Sequence, residues 1–117
     1  MKPPFITYQL SILLKNKVVV TIGKLGTFEF PAGKYIYTGS AKRNIEARIA
    51  RHLSQKKRLK WHIDYLLNNQ EASIIKVERF TDPECMVNKK TKGLILIKQL
   101  GATDCRNSCV SHLKFLG

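Results

Sequence analysis

The chain has 117 residues, 44% of them hydrophobic, which is enough for one cored domain and too apolar for a disordered chain. Lys and Arg number 21 against 8 Asp and Glu, and the resulting charge of +13 points to a polyanionic partner, with DNA or RNA first. No stretch approaches the roughly 18 apolar residues that span a bilayer, Met1-Lys2-Pro3-Pro4 does not open a secretory leader, and the 3 cysteines fit free thiols in a reducing, cytoplasmic setting.

Thr7 to Leu14 alternates, with Tyr8, Leu10, Ile12 and Leu14 on one side and Thr7, Gln9, Ser11 and Leu13 on the other, as a half-buried strand does. Lys15-Asn16-Lys17 reads as a turn into a β-branched strand from Val18 to Ile22, so these two strands are expected to pair as a hairpin. Gly23, Gly26, Pro31 and Gly33 punctuate a loop or short strand through Thr27–Phe30, and Lys34 to Thr38 is the next strand. Thr38-Gly39-Ser40 is expected to break it, because glycine takes backbone angles that a Cβ resists. From Ile45, apolar residues recur at helical spacing through Ile49 and Leu53, with Ala41 one turn earlier and Arg48, Arg51 and His52 on the other flank.

Gln55 to Arg58 is a basic connector, and Lys60 to Asn69 reads as a second helix with Ile63, Leu66 and Leu67 inward. Ser73 to Phe80 is a further strand in which Ile75 and Val77 share a face opposite Ile74, Lys76 and Glu78. Asp82 and Pro83 are a helix start signal, a cap followed by the residue suited to the first helical position. Glu84 then lies in the first turn, where the helix dipole favours a carboxylate, and the helix runs to Lys92 before Gly93. Leu94 to Leu100 is an apolar run of either type, Gly101 to Cys109 a polar loop, and Ser111 to Leu116 a closing edge strand.

One constellation gathers Tyr8, Tyr35, Tyr37, Arg48, His52 and Glu84. Phosphodiester cleavage needs a proton acceptor, positive charge at the phosphate and usually a metal ion. Arg48 suits the second task, since its planar fork matches phosphate oxygens and stays charged, and Arg48 and His52 stack on one helix face. Glu84 suits a hard cation, and one carboxylate is enough for Mg²⁺ when waters and phosphates complete the shell. The bland alternatives are a helix-dipole partner for Glu84, a solvated face for Arg48 and ordinary packing for the tyrosines, with Tyr35 the first candidate for packing. A second constellation, Cys105, Cys109 and His112 with Cys85 further off, contains zinc-ligand types but lacks the matching second pair, so inert thiols are the favoured reading.

Tyr37-Thr38-Gly39, an arginine and then a histidine on the following helix, and a distant glutamate opening a helix resemble the GIY-YIG nuclease superfamily. The strings Gly23–Gly33, Glu46–Leu53, Trp61–Leu67, Asp104-Cys105 and Ser111–Leu113 resemble more closely a small branch of it, sometimes attached to base-excision glycosylases of the endonuclease III type. The resemblance covers nearly the whole chain. It implies a single α/β (α+β) domain over residues 1–117, with a small antiparallel three-stranded central sheet, an N-terminal hairpin and flanking helices. It also implies an endonuclease that hydrolyses one strand of structured or damaged DNA with one Mg²⁺ or Mn²⁺, in association with DNA repair proteins. Carried over by position, Tyr8 and Tyr37 line the site, Arg48 binds the phosphate, Glu84 holds the metal, and His52 occupies the place one turn past the arginine. The chain departs from the pattern in its first motif, Ile6-Thr7-Tyr8 in place of Gly-Ile-Tyr, and in Thr38, Ser40 and Ala41 around the second.

A free tyrosine titrates near pH 10, so serving as a base near pH 7 would require lowering it by about 3 units, roughly 4 kcal/mol, whereas histidine, near 6.5, needs no such help. The base is therefore Tyr8 or Tyr37, as the resemblance implies, or His52, which is alternatively a phosphate ligand. Gly39, Lys42, Arg43, Arg51, Lys56, Lys57, Arg58 and Lys60 are the expected nucleic-acid contacts, with affinity falling by a log–log salt slope of about −0.9 per neutralised phosphate. A non-catalytic nucleic-acid-binding module of the same fold, or an RNA binder, is the alternative function.

Overall fold

The computed structural model describes residues 5–23, 25–41, 43–54, 62–93 and 112–117. Six strands and three helices follow in the order β1 (Thr7–Leu14), β2 (Val18–Ile22), β3 (Gly26–Phe30), β4 (Gly33–Ser40), α1 (Ile45–Leu53), α2 (His62–Leu67), β5 (Ala72–Phe80), α3 (Glu84–Lys90) and β6 (Leu113–Phe115). This is the expected α+β architecture. The main sheet is antiparallel in the order β5-β1-β4-β6, the three expected strands extended by β6 at one edge, and β2 and β3 form a separate two-stranded sheet.

The expected pairing of the first two strands is corrected. Both edges of β1 are taken, by β4 and β5, so β2 turns to β3. The Lys15–Lys17 segment is tied instead to the turn before β5, where the Lys15 N–H donates to the Glu71 carbonyl at 3.0 Å and the Asn16 amide donates to the Glu71 carboxylate at 2.8 Å.

The alternation of β1 sorts the molecule into layers. Tyr8, Leu10, Ile12 and Leu14 join Tyr35 and Tyr37 on one face, and Ile49 of α1, Ile63 and Leu66 of α2, and Val20, Ile22 and Phe30 of the hairpin close over them. Each such aliphatic side chain contributes about 1.5–3 kcal/mol of burial. The opposite face carries Thr7, Gln9 and Thr38, also buried, and α3 lies on it. Gln9 donates to Thr38 Oγ1 at 3.1 Å and to Thr91 Oγ1 at 2.6 Å, and the Thr7 hydroxyl donates to the Asp82 carbonyl at 2.5 Å. β1 is thus buried on both faces, where the sequence pattern indicates one.

Four local readings also change. A register shift between Ser11 and Ile12 places Ile74 opposite Ile12 and Val77 opposite Leu10, so Ile74 packs on the core and Ile75 is exposed. In α1 the last inward position belongs to His52 and Leu53 is exposed. That helix begins at Asn44, which takes a left-handed conformation at φ 49° and accepts the Ala47 N–H on its side chain. The cap position of α3 is Pro83 rather than Asp82 and makes no side-chain cap bond, and this helix ends at Lys90. Residues 55–61 and 94–111, with the basic connector, the apolar run from Leu94, Cys105 and Cys109, lie outside the described residues. Among the described residues no helix is long and apolar enough to cross a membrane.

Candidate active site

Tyr8 and Gly39 face each other across β1 and β4. The strand runs through Gly39 to Ser40 without a left-handed angle, so the expected break is absent. Gly39 is needed for space: a Cβ there would lie 2.5 Å from the Tyr8 ring and hydroxyl. Into that space the Tyr8 phenol extends to His52, its hydroxyl 2.5 Å from Nε2. Tyr37 meets the same imidazole edge-on, with ring centroids 5.9 Å apart. On the far side of the ring, Asp64 Oδ1 stands 4.0 Å from Nδ1. At that distance Asp64 acts on Nδ1 through charge and not through a hydrogen bond, and its charge favours the tautomer with the proton on Nδ1, which leaves Nε2 to accept from the Tyr8 hydroxyl.

Asp64 is wholly buried and receives a two-pronged guanidinium from Arg51, at 3.1 and 3.0 Å. Burying a carboxylate is tolerable only with such a partner. Arg51, expected among the nucleic-acid contacts, therefore has its guanidinium committed to Asp64. Arg43 is exposed, whereas Lys42, Lys56, Lys57, Arg58 and Lys60 lie outside the described residues.

One helical turn before His52, Arg48 Nη1 donates to the Ser40 carbonyl at 2.6 Å. The Ser40 hydroxyl donates to Glu84 Oε2 at 2.8 Å, and His112 Nδ1 lies 2.8 Å from Glu84 Oε1. β4 thus joins the two halves: α1 reaches Ser40 from one face of the sheet and α3 reaches it from the other. Tyr8, Tyr37, Arg48, His52 and Glu84, drawn from four elements, converge on the end of the β1–β4 pair. Tyr35 lies apart, with its hydroxyl donating to the Pro31 carbonyl at 2.6 Å and its ring against Phe30 and Phe115.

Burial pushes both site tyrosines well above the ordinary phenol range. For Tyr8 the loss of hydration dominates; Arg48 acts against it, and Glu84 and Asp64 reinforce it. For Tyr37 burial again dominates, with Tyr8, Glu84 and Asp64 adding to it. Tyr35 is pushed up to about 12 by burial. Both site phenols accordingly hold their protons near neutral pH, in the direction opposite to the one a phenolate base requires.

Glu84 is the member that can hold a cation. Its side chain is 24% exposed, and Ser40 adds a second oxygen beside it. One part-exposed carboxylate with a hydroxyl beside it is a donor set that would suit an ion such as Mg²⁺ or Mn²⁺, with waters and a substrate phosphate completing the shell; among the described residues no three His, Cys, Asp or Glu side chains cluster for a metal. His112, grouped with the cysteines for zinc on the basis of spacing, is found beside Glu84. A cavity of about 560 Å³ between the ends of α1 and α2 and strand β5 shares His52 with the cluster and none of its other members.

Sequence reasoning did not assign Ser40, Asp64 or His112 to the site. Asp64 left one trace, as a lone acid inside an apolar helical pattern. Ser40 and His112 left none, because their roles depend on strand pairings.

Residues 7–117 match the family described as Domain of unknown function DUF123, and the chain belongs to it. No curated protein and no solved structure gives a significant match.

Proposed function

For this member of the DUF123 family we propose a divalent-cation-dependent DNA endonuclease that hydrolyses one strand at structured or damaged sites. The observation that carries this reading is the convergence of a guanidinium, a carboxylate and a phenol–imidazole pair on one end of the β1–β4 ladder. The GIY-YIG resemblance supplies the reaction class, and the charge of +13 supplies the polyanion.

In this reading Arg48 binds a non-bridging oxygen of the scissile phosphate and offsets the charge that grows there during attack. Water is the nucleophile. Its proton passes to the Tyr8 oxygen as the Tyr8 proton moves to His52 Nε2, and the imidazolium so formed faces Asp64. The new P–O bond forms as the opposite P–O bond of the backbone breaks, leaving a sugar oxygen that takes up a proton. Tyr8 relays the proton and His52 is the base. This assignment follows from the raised Tyr8 titration and from the tautomer that Asp64 favours. Tyr37 walls the imidazole. Glu84 would hold the cation, which supplies charge neutralisation at the phosphate when bound. Arg43 and the basic residues around α1 would contact the backbone on either side. The protein would act in the cytoplasm alongside DNA repair proteins.

The non-catalytic module gains support from one feature: Tyr8 is only 2% exposed. A panel of nicked, flapped, branched and damaged DNA duplexes, incubated with Mg²⁺ or Mn²⁺, separates the two. Wild-type protein is expected to nick at least one member, with Arg48→Ala and Glu84→Ala inactive and their DNA binding only modestly reduced. Binding without cleavage across the panel would favour the module, and full cleavage by Glu84→Ala would remove the metal assignment.

A further inference from the structure

We propose that His112 is the positioning residue that sets the Glu84 carboxylate for its cation, and that the C-terminal strand exists in this fold partly to deliver it. The proposal rests on the reading of Glu84 as the cation ligand. α3 is short, seven residues, and lacks a side-chain cap at its start. Isolated helices of that length do not hold together in water, so the placement of Glu84 at its first turn must come from outside the helix. β6 supplies it. Leu113 pairs with Tyr37 on the edge of β4, and the Thr38 N–H donates to the His112 carbonyl at 2.9 Å. The alternation of a strand then turns His112 and Lys114 toward the face that carries α3. Lys114 Nζ donates to the Asn88 and Thr91 carbonyls at the far end of the helix, both at 2.9 Å. At the near end, His112 meets Glu84 Oε1 at 2.8 Å.

A carboxylate has no proton to give, so any proton in the 2.8 Å contact belongs to the imidazole, and the contact acts through distance and charge rather than through an aligned hydrogen bond. The Ser40 hydroxyl donates to the other oxygen. With one oxygen hydrogen-bonded by Ser40 and the other in close contact with His112, the carboxylate is oriented before any ion arrives, and each oxygen keeps a lone pair for it. The His112 ring is 2% exposed whereas the carboxylate is 24% exposed, so the buried partner orients and the open one binds. Outer partners of this kind typically change metal affinity by about 10–100-fold when removed.

The test is direct Mn²⁺ binding to the full chain, read by electron paramagnetic resonance without DNA, with folding checked by circular dichroism. His112→Ala is expected to weaken Mn²⁺ binding by about 10-fold or more. His112→Asn, whose amide nitrogen falls near the Nδ1 position, is expected to restore most of the loss. His112→Gln keeps bulk and polarity but places its amide near Nε2, so it should behave like alanine and serves if His112→Ala fails to fold. Lys114→Ala, which loosens the far end of α3 only, should lower stability and leave the Mn²⁺ midpoint nearly unchanged. Equal Mn²⁺ affinity in wild type and His112→Gln, with Glu84→Ala impaired, overturns the proposal and leaves Glu84 as the ligand. Equal affinity in wild type and Glu84→Ala overturns the cation reading itself, and this proposal with it.

Discussion

The two faces of β1 are both buried, and they are filled with opposite chemistry. On one, Leu10, Ile12 and Leu14 lie in a dry core, and the one polar group that Tyr8 brings there ends on His52. On the other, Thr7, Gln9 and Thr38 make a hydrogen-bonded mount for α3. Each face carries a histidine opposed to a carboxylate. His52 and Asp64 are wholly enclosed and stand 4.0 Å apart, whereas His112 and the part-exposed Glu84 are 2.8 Å apart. In the proposed function the difference separates two tasks. An enclosed pair favours proton transfer, because its groups cannot exchange partners with water. A half-open pair lets an ion in while keeping the carboxylate oriented. Ser40, at the end of β4, is bonded to both sides.

Removing either of the two charged groups that meet at Ser40, one from each face, should have the largest effect on function. Arg48→Ala and Glu84→Ala are each expected to lower nicking by at least about 10²–10³-fold, the scale seen when one charge-stabilising donor is lost, as measured on the most sensitive DNA substrate. Breaking the enclosed side should have the largest effect on stability. Asp64→Ala leaves Arg51 without its partner and His52 without its facing carboxylate, and about 3–5 kcal/mol of loss is expected in urea unfolding. Tyr8→Phe sharpens the contrast: it removes one hydroxyl, should lower stability by about 1–3 kcal/mol, and should abolish nicking if the relay runs through that oxygen. Nicking at wild-type rate by Tyr8→Phe would sink the relay.

Alkali tests the enclosed face by another route. Burial pushes the phenol of Tyr35 up to about 12, and those of Tyr8 and Tyr37 are raised as well. The native state therefore binds these protons more tightly than the unfolded chain. The associated stability is complete below pH 10 and falls as the pH rises through 10 toward 12 and beyond. Phenolate absorbance should show these three groups ionising together with unfolding. Phenolate formation by Tyr8 in the native fold near neutral pH would contradict the His52 assignment. The smallest effect belongs to a pair remote from both faces: Glu29→Ala, which breaks an exposed contact with Lys17 at 3.3 Å, should change stability by less than about 1 kcal/mol.

Much of this fold was legible because the information is local. The alternation of Tyr8, Leu10, Ile12 and Leu14 is a strand whatever it pairs with, and the four-residue spacing of Arg48 and His52 puts them on one flank of any helix. Glu84 after Asp82-Pro83 marks a helix start even though the cap bond is absent. The tyrosines, the arginine and the glutamate of the site could be singled out from their types and the motif they form. Which of them touch could not, since the Tyr8–His52 contact spans 44 positions and that of Ser40 with Glu84 another 44.

What the sequence determined by itself is the set of elements and their apolar faces, because side-chain period and turn residues act over a few positions. Tertiary structure alone decided the partner of β2, the bulge that turns Ile75 outward, the burial of Gln9, and the use of Gly39 as room for a phenol. It also decided that Arg51 belongs to Asp64 and that His112 belongs to Glu84. Each of these depends on which strand edges and which buried charges remain unsatisfied after the rest has packed. That is a property of the whole chain and is written in no single stretch of it.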